Sequence, residues 1–182
     1  MKKKCILVTV ALLAAAELPA LTKGEVTALW ASAGVGAALG IGFDVLYVTQ
    51  SFPMLQPVSE PWVVPSVKAA TLAVQTVSAT GLAVAFTGIY TALKPDIWWS
   101  IPAGALLAGI AQSLSCGLAV GTFQAIAAPS GALQVSDPSF RAGLPWWQYF
   151  GEGFVMGFLA FGIVGLLEGA IAGPVLTLSL GY

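Results

Sequence analysis

Three carboxylates, Glu17, Asp44 and Glu168, lie within long apolar stretches of this 182-residue chain, as do two amides, Gln75 and Gln112. A charged side chain at the centre of a bilayer costs roughly 2.5–3.5 kcal/mol on insertion scales, so such residues mark a cavity, a pairing partner or a proton or ion path. The carboxylates are therefore the candidate ion path. Gln75 and Gln112 are the candidate polar lining, with Ser78, Ser113, Ser115 and Gln124 on the same two stretches. Each group also has a plainer reading: a carboxylate near an interface reaches water by extending its side chain, and an amide between helices forms a packing hydrogen bond of about 1 kcal/mol or less.

What is missing narrows the chemistry further. The chain has no histidine, so it cannot supply bis-histidine haem ligands, a copper site, a zinc site of the usual imidazole type or a histidine general base. Its two cysteines, Cys5 and Cys116, cannot hold an iron–sulfur cluster; their separation in depth argues against a disulfide, and both read as reduced and structural. No phosphate-loop pattern occurs, and Gly34, Gly36 and Gly40 sit in an apolar stretch with no lysine beside them. No catalytic or metal-binding constellation is visible, so an enzyme is not expected, and neither is a cofactor.

The elements that must position these groups follow from charge and hydropathy. Seven Lys/Arg and eight Asp/Glu give a net charge of −1, charged residues make up only 8% of the chain against 58% hydrophobic, and the mean hydropathy is +0.90. Soluble domains are typically about 25% charged. Beyond Lys2, Lys3 and Lys4 there is no basic cluster to follow a nucleic-acid backbone, so nucleic acid is not an expected partner. The composition predicts an all-α integral membrane protein, a single polytopic domain over residues 1–182. Its candidate helices are 5–21, 27–49, 66–92, 99–127 and 151–179, each near or above the roughly 20 residues a span needs. The count falls to four if the N-terminal segment is not a full span. That segment has the layout of a secretory signal, with a cleavage point near Ala16 or Ala20, but an uncleaved first helix is the reading adopted. Trp30, Trp62, Trp98, Trp99, Trp146 and Trp147 fall at or near the starts of apolar runs, as headgroup-level anchors do. Gly173-Pro174 predicts a break or kink late in the last helix.

Lysine and arginine set the orientation. A cytoplasmic N-terminus places Lys2, Lys3, Lys4, Lys68 and Arg141 inside and Lys23 and Lys94 outside. With about 1.5 Å of rise per residue, Asp44 then lies nearer the cytoplasmic face and Glu17 and Glu168 nearer the outer one, so the three cannot share one site. Glycines four apart make smooth helix faces through which backbones approach closely in lipid. Gly36 and Gly40, Gly117 and Gly121, Gly153 and Gly157, and Gly165 and Gly169 are the candidate packing pairs. A recurrence of Gly81-Leu-Ala-Val84 as Gly117-Leu-Ala-Val120, 36 residues on, reflects equal helix lengths more readily than a duplication.

The expectation is a cofactor-free integral membrane subunit of a larger membrane protein complex, serving as scaffold and as part of an ion or proton path. It is expected in the cell (plasma) membrane, with the lipid bilayer and other membrane subunits as partners. The alternative is an independent small transporter or channel working as a homo-oligomer.

Overall fold

The computed structural model describes residues 21–51, 55, 60–133 and 143–182, with side chains described outside 43–51. Nearly all of them fall in four helices, α1 Lys23–Ser51, α2 Val63–Leu93, α3 Ile97–Ala127 and α4 Trp146–Leu180. All four are long and apolar enough to cross a membrane, α1 through its stretch Lys23–Gly42. No strand occurs among the described residues, and a single antiparallel bridge joins Leu55 to Leu133. The expected first helix, 5–21, lies outside the described residues but for Leu21.

Each described helix starts earlier than hydropathy alone predicts, and at α1 and α3 capping chemistry, not apolarity, decides where the first turn forms, whereas α2 and α4 begin without a side-chain cap. Thr22 and Glu25 cap α1 reciprocally: the Glu25 N–H donates to Thr22 Oγ1 (3.2 Å) and the Thr22 N–H donates to Glu25 Oε2 (2.7 Å). Asp96 Oδ1 accepts from the Trp98 and Trp99 N–H groups, both at 3.0 Å, and so starts α3 just before its tryptophans. Pro145 precedes the first residue of α4, where its missing N–H costs nothing, and Trp146 and Trp147 join the first turn. Between α2 and α3 the turn is short: Lys94 takes the left-handed conformation (φ 45°), its N–H donates to Tyr90 O (3.1 Å), and Pro95 prevents continuation.

The expected break at Gly173-Pro174 is absent, and α4 runs unbroken to Leu180. Proline removes one intrahelical donor, but both sides of it are held by tertiary contacts: before it Gly169 and Gly173 lie against α3 and the Tyr90 hydroxyl donates to Gly173 O (2.6 Å), and beyond it the Thr177 hydroxyl lies 2.8 Å from the Tyr90 hydroxyl and 3.1 Å from Pro95 O. A second proline, Pro102, lies inside α3.

Burial is inverted relative to a water-soluble bundle. Large apolar side chains of α4 such as Leu159, Ile163, Leu167, Ile171 and Leu178 are exposed, whereas Gly153, Gly157, Gly165, Gly169, Gly173 and Thr177 are buried. In water this arrangement would leave a very large apolar surface uncovered; in hydrocarbon it costs nothing, and small inward residues gain close packing. All six tryptophans are exposed, with Trp62, Trp146 and Trp147 at the first turns of α2 and α4 and Trp98 and Trp99 at the opposite end.

The α3–α4 pair is antiparallel and the most extensive contact in the bundle. Each step of four along α4 is matched by a step of four back along α3: Gly153 faces Val120 O, Gly157 Cys116 O, Gly165 Ala108 O, Gly169 Gly104 O and Gly173 Ser100 O. A Cβ at Gly153, Gly157 or Gly165 would stand 2.7, 2.5 or 2.6 Å from its carbonyl oxygen. α1 packs on α2, where a Cβ at Gly36 would stand 2.7 Å from Ala79 O and one at Gly40 2.9 Å from Thr76 Cα. α1 and α4 meet at only a few residues. At the end where α2 and α3 meet the loops, Val63, Val67, Phe123, Ala127 and Ala132 form a small apolar core, with Leu55 and Leu133 packed on it. Gly81 faces open space while Gly117 packs on Phe154, so the two copies of the Gly-Leu-Ala-Val segment occupy different environments.

Candidate functional site

Because α1 leans on α2 and barely touches α4, a cavity of about 320 Å³ opens among all four helices. Its walls are largely apolar, supplied by residues such as Val35 and Leu39 of α1, Phe86 of α2, Leu107 of α3 and Leu176 of α4. Glu168 lines it from α4 and Gln112 from α3. Ala31, Val35 and Leu39 on one side and Ala172 and Val175 on the other both line the cavity and are exposed, so it opens sideways between α1 and α4.

Glu168 is partly buried, and among the described residues its carboxyl has no hydrogen-bonding or charged partner. A lone carboxylate charge among apolar walls is costly unless a proton or a cation neutralises it. Among the described residues none of the hydroxyls lining the cavity, those of Ser32, Thr87 and Tyr90, is hydrogen-bonded to it. Ser32 donates to Leu29 O (2.8 Å) and Tyr90 to Gly173 O. With its own proton committed there, Tyr90 leaves Thr177 one proton to share between the phenol oxygen (2.8 Å) and Pro95 O (3.1 Å).

Gln112 connects the cavity to a buried polar seam between α2 and α3. Its Nε2 donates to Cys116 Sγ (3.5 Å), and Gln75 Nε2 makes a longer contact to the same sulfur (3.9 Å). Beside them the Ser78 and Ser115 hydroxyls are 3.0 Å apart. Gln75 is fully buried, and its Oε1 has no hydrogen-bond partner among the described residues. Of the expected lining residues, Gln112 therefore faces both the cavity and the seam, while Gln75 belongs to the seam alone.

The other two carboxylates are not placed beside Glu168 by anything described. Asp44 lies on α1 where side chains are not described, and Glu17 lies outside the described residues. Of the glycines singled out by spacing, Gly36 and Gly169 line the cavity as well as approaching a neighbouring helix; Gly40, Gly117, Gly121, Gly153, Gly157 and Gly165 lie at helix contacts away from it.

Hydropathy passes over a polar latch where α1 and the chain's C-terminal residues meet. The Tyr182 hydroxyl donates to Glu25 Oε1 (2.7 Å) and lies 3.4 Å from Thr91 O. Lys94 Nζ stands 4.0 Å from the same Glu25 oxygen and 5.6 Å from the centre of the Tyr182 ring. Burial, then the hydrogen bond to Glu25 and its charge, push the Tyr182 phenol up to about 12. The Thr22-x-x-Glu25 pattern was the available signal for α1's start, but nothing in sequence places Tyr182 beside it.

No protein-family model matches the chain, and comparison with curated proteins and with solved structures found no similar protein. Function has to be argued from the site.

Proposed function

We propose that this chain is a cofactor-free membrane subunit of a larger membrane assembly, and that Glu168 is the proton- or cation-accepting group of a path running through it. The observation that carries the reading is the position of Glu168: a carboxyl without a partner among the described residues, in an apolar cavity that all four helices build. Gln112 and the seam through Cys116 to Gln75 extend polar groups from that cavity between α2 and α3. The exposed side chains of α4, from Leu159 to Leu178, offer lipid or a neighbouring subunit an apolar face. The lysine and arginine distribution favours a cytoplasmic N-terminus in the cell membrane.

Gentle solubilisation followed by identification of what migrates with the chain tests the assembly. Different partner chains in fixed ratio support it, and a homogeneous oligomer that conducts on its own in liposomes sinks it. Glu168→Gln tests the path: flux through the intact assembly should be lost while its composition is retained. The rival reading is an independent homo-oligomeric transporter, favoured by the size and sideways opening of the cavity, and the same liposome measurement decides for it.

A further inference from the structure

We infer that the cavity between α1 and α4 binds an apolar organic cation, with the charged nitrogen at Glu168 and the hydrocarbon part along the helix walls. The inference rests on the reading of Glu168 as a cation-accepting group, and it goes further by naming the ligand class. At about 320 Å³ the cavity falls at the small end of the roughly 300–1,000 Å³ typical of ligand sites. Apolar walls with a few polar groups are the usual composition of such sites.

The polar groups select the charge and kind of ligand. Ser32 and Tyr90 have their hydroxyl protons committed to backbone carbonyls. Glu168 is left as the charged group facing the space, and Gln112, whose Nε2 is turned to Cys116, retains its amide oxygen as a second acceptor. Beside a neutral ligand Glu168 must take a proton to lose its charge, an anion would be repelled by the carboxylate, and a cation pairs with it directly. A calcium or magnesium ion demands six or so oxygen ligands, more than one carboxyl, one amide and the Thr87 hydroxyl provide. An alkylammonium group satisfies both acceptors with its N–H donors and brings its own apolar surface to the rest of the cavity.

The route in is also drawn by the structure. Ala31, Val35, Ala172 and Val175 line the cavity and are exposed on the same side, so its mouth faces outward between two apolar helices. An amphiphile that partitions into a bilayer reaches such a mouth from the hydrocarbon, without crossing the helix ends.

The test uses the full chain in lipid nanodiscs, with tritiated decylamine as the cation and tritiated decanol as its neutral counterpart. Three proteins are compared: the unaltered chain, Glu168→Gln and Ala172→Phe, each confirmed helical by circular dichroism. Decylamine should bind saturably and with higher affinity than decanol. Glu168→Gln should weaken decylamine by about tenfold or more while leaving decanol unchanged, the scale of one hydrogen-bonded charge. Ala172→Phe places a ring in the mouth and should weaken both. Equal decylamine binding with and without Glu168 would overturn the inference and point to a site for any acyl chain. An absence of saturable binding to the full chain would also overturn it. Failure here is separable from failure of the path: Glu168-dependent binding with Glu168-independent flux keeps the site and removes the path, and the reverse result removes the site alone.

Discussion

Helix α4 presents two different faces to the rest of the bundle. Toward α3 it brings glycine after glycine against backbone carbonyls over its whole length. Toward α1 it brings Glu168, Ala172 and Val175 to the edge of a cavity and makes contact at only a few residues. In hydrocarbon no hydrophobic drive holds helices together, so stability concentrates where backbones approach closely. A face left open therefore need not endanger the fold. The α3–α4 pair can act as a rigid wall, against which α1, carried on α2, defines a cleft.

The largest expected effect comes from attacking the close face. Gly165→Leu forces a side chain into Ala108 O and Gln112 Cβ, both 2.6 Å from where its Cβ would stand. Neither a carbonyl nor the helix axis can move a few tenths of an ångström in isolation, so α3 and α4 must separate. Little monodisperse protein should survive solubilisation, as size-exclusion chromatography would report. A monodisperse variant of unchanged thermal midpoint would mean that α3 and α4 do not lie this close.

A smaller effect is expected on α1. Gly36→Ala meets Ala79 O and Ala83 Cβ, each at 2.7 Å, and should cost about 1–3 kcal/mol as an overpacked contact. The readout is the midpoint of thermal unfolding in a fixed detergent. Because Gly36 also lines the cavity, shifting α1 off α2 should alter cleft width as well, which a spin-label distance between α1 and α4 would measure.

The contrast between faces also shows how far sequence reasoning reaches. Hydropathy and tryptophan placement sufficed to find four apolar helices, because both depend on the residue and its immediate neighbours alone. Hydropathy says nothing about Gly34, Gly36, Gly40 and Gly42: four-residue spacing singles out Gly36 and Gly40 as a pair, but only the neighbouring helix decides which face is covered. Gly36 and Gly40 meet α2, whereas Gly34 and Gly42 have none of the described residues within 4 Å. The continuity of α4 through Pro174 likewise depends on Tyr90, 83 residues distant in sequence from Gly173. Glu168 stood out by its charge, but the cavity around it is a product of helix positions. Tyr182 gave no signal, since its partner Glu25 lies 157 residues away.

The latch ties α1 to Tyr182, just beyond the end of α4, and loosening it should be milder still. Tyr182→Phe removes the hydrogen bond to Glu25, and the expected result is faster amide exchange in the first turns of α1 with the remaining helices unaffected. The same contact predicts a pH effect. A phenol ordinarily titrates near 10, and in the fold Tyr182 is held neutral up to about 12. A raised folded value means the contribution is complete below the unfolded pKa and declines as pH rises through the folded one. The latch should therefore weaken between about pH 10 and 12, with Glu25 and Lys94 the charged groups facing it. Exchange in α1 should accelerate over that window in the unaltered chain and show no such step in Tyr182→Phe.

The smallest effect has the opposite sign. Gly34→Ala adds a methyl where none of the described residues lies within 4 Å, so no packing among them is lost, and the helix gains at most about 1 kcal/mol from exchanging glycine for alanine. The isolated chain should unfold at an equal or slightly higher temperature, two residues from a position where the same change is destabilising. Loss of partner subunits from the solubilised assembly, with the isolated chain unharmed, would show that the open face of α1 is covered by another chain. An unchanged assembly would leave that face to lipid. A lower midpoint for the isolated chain would break the comparison itself, since it would mean that α1 packs through Gly34 as well as through Gly36.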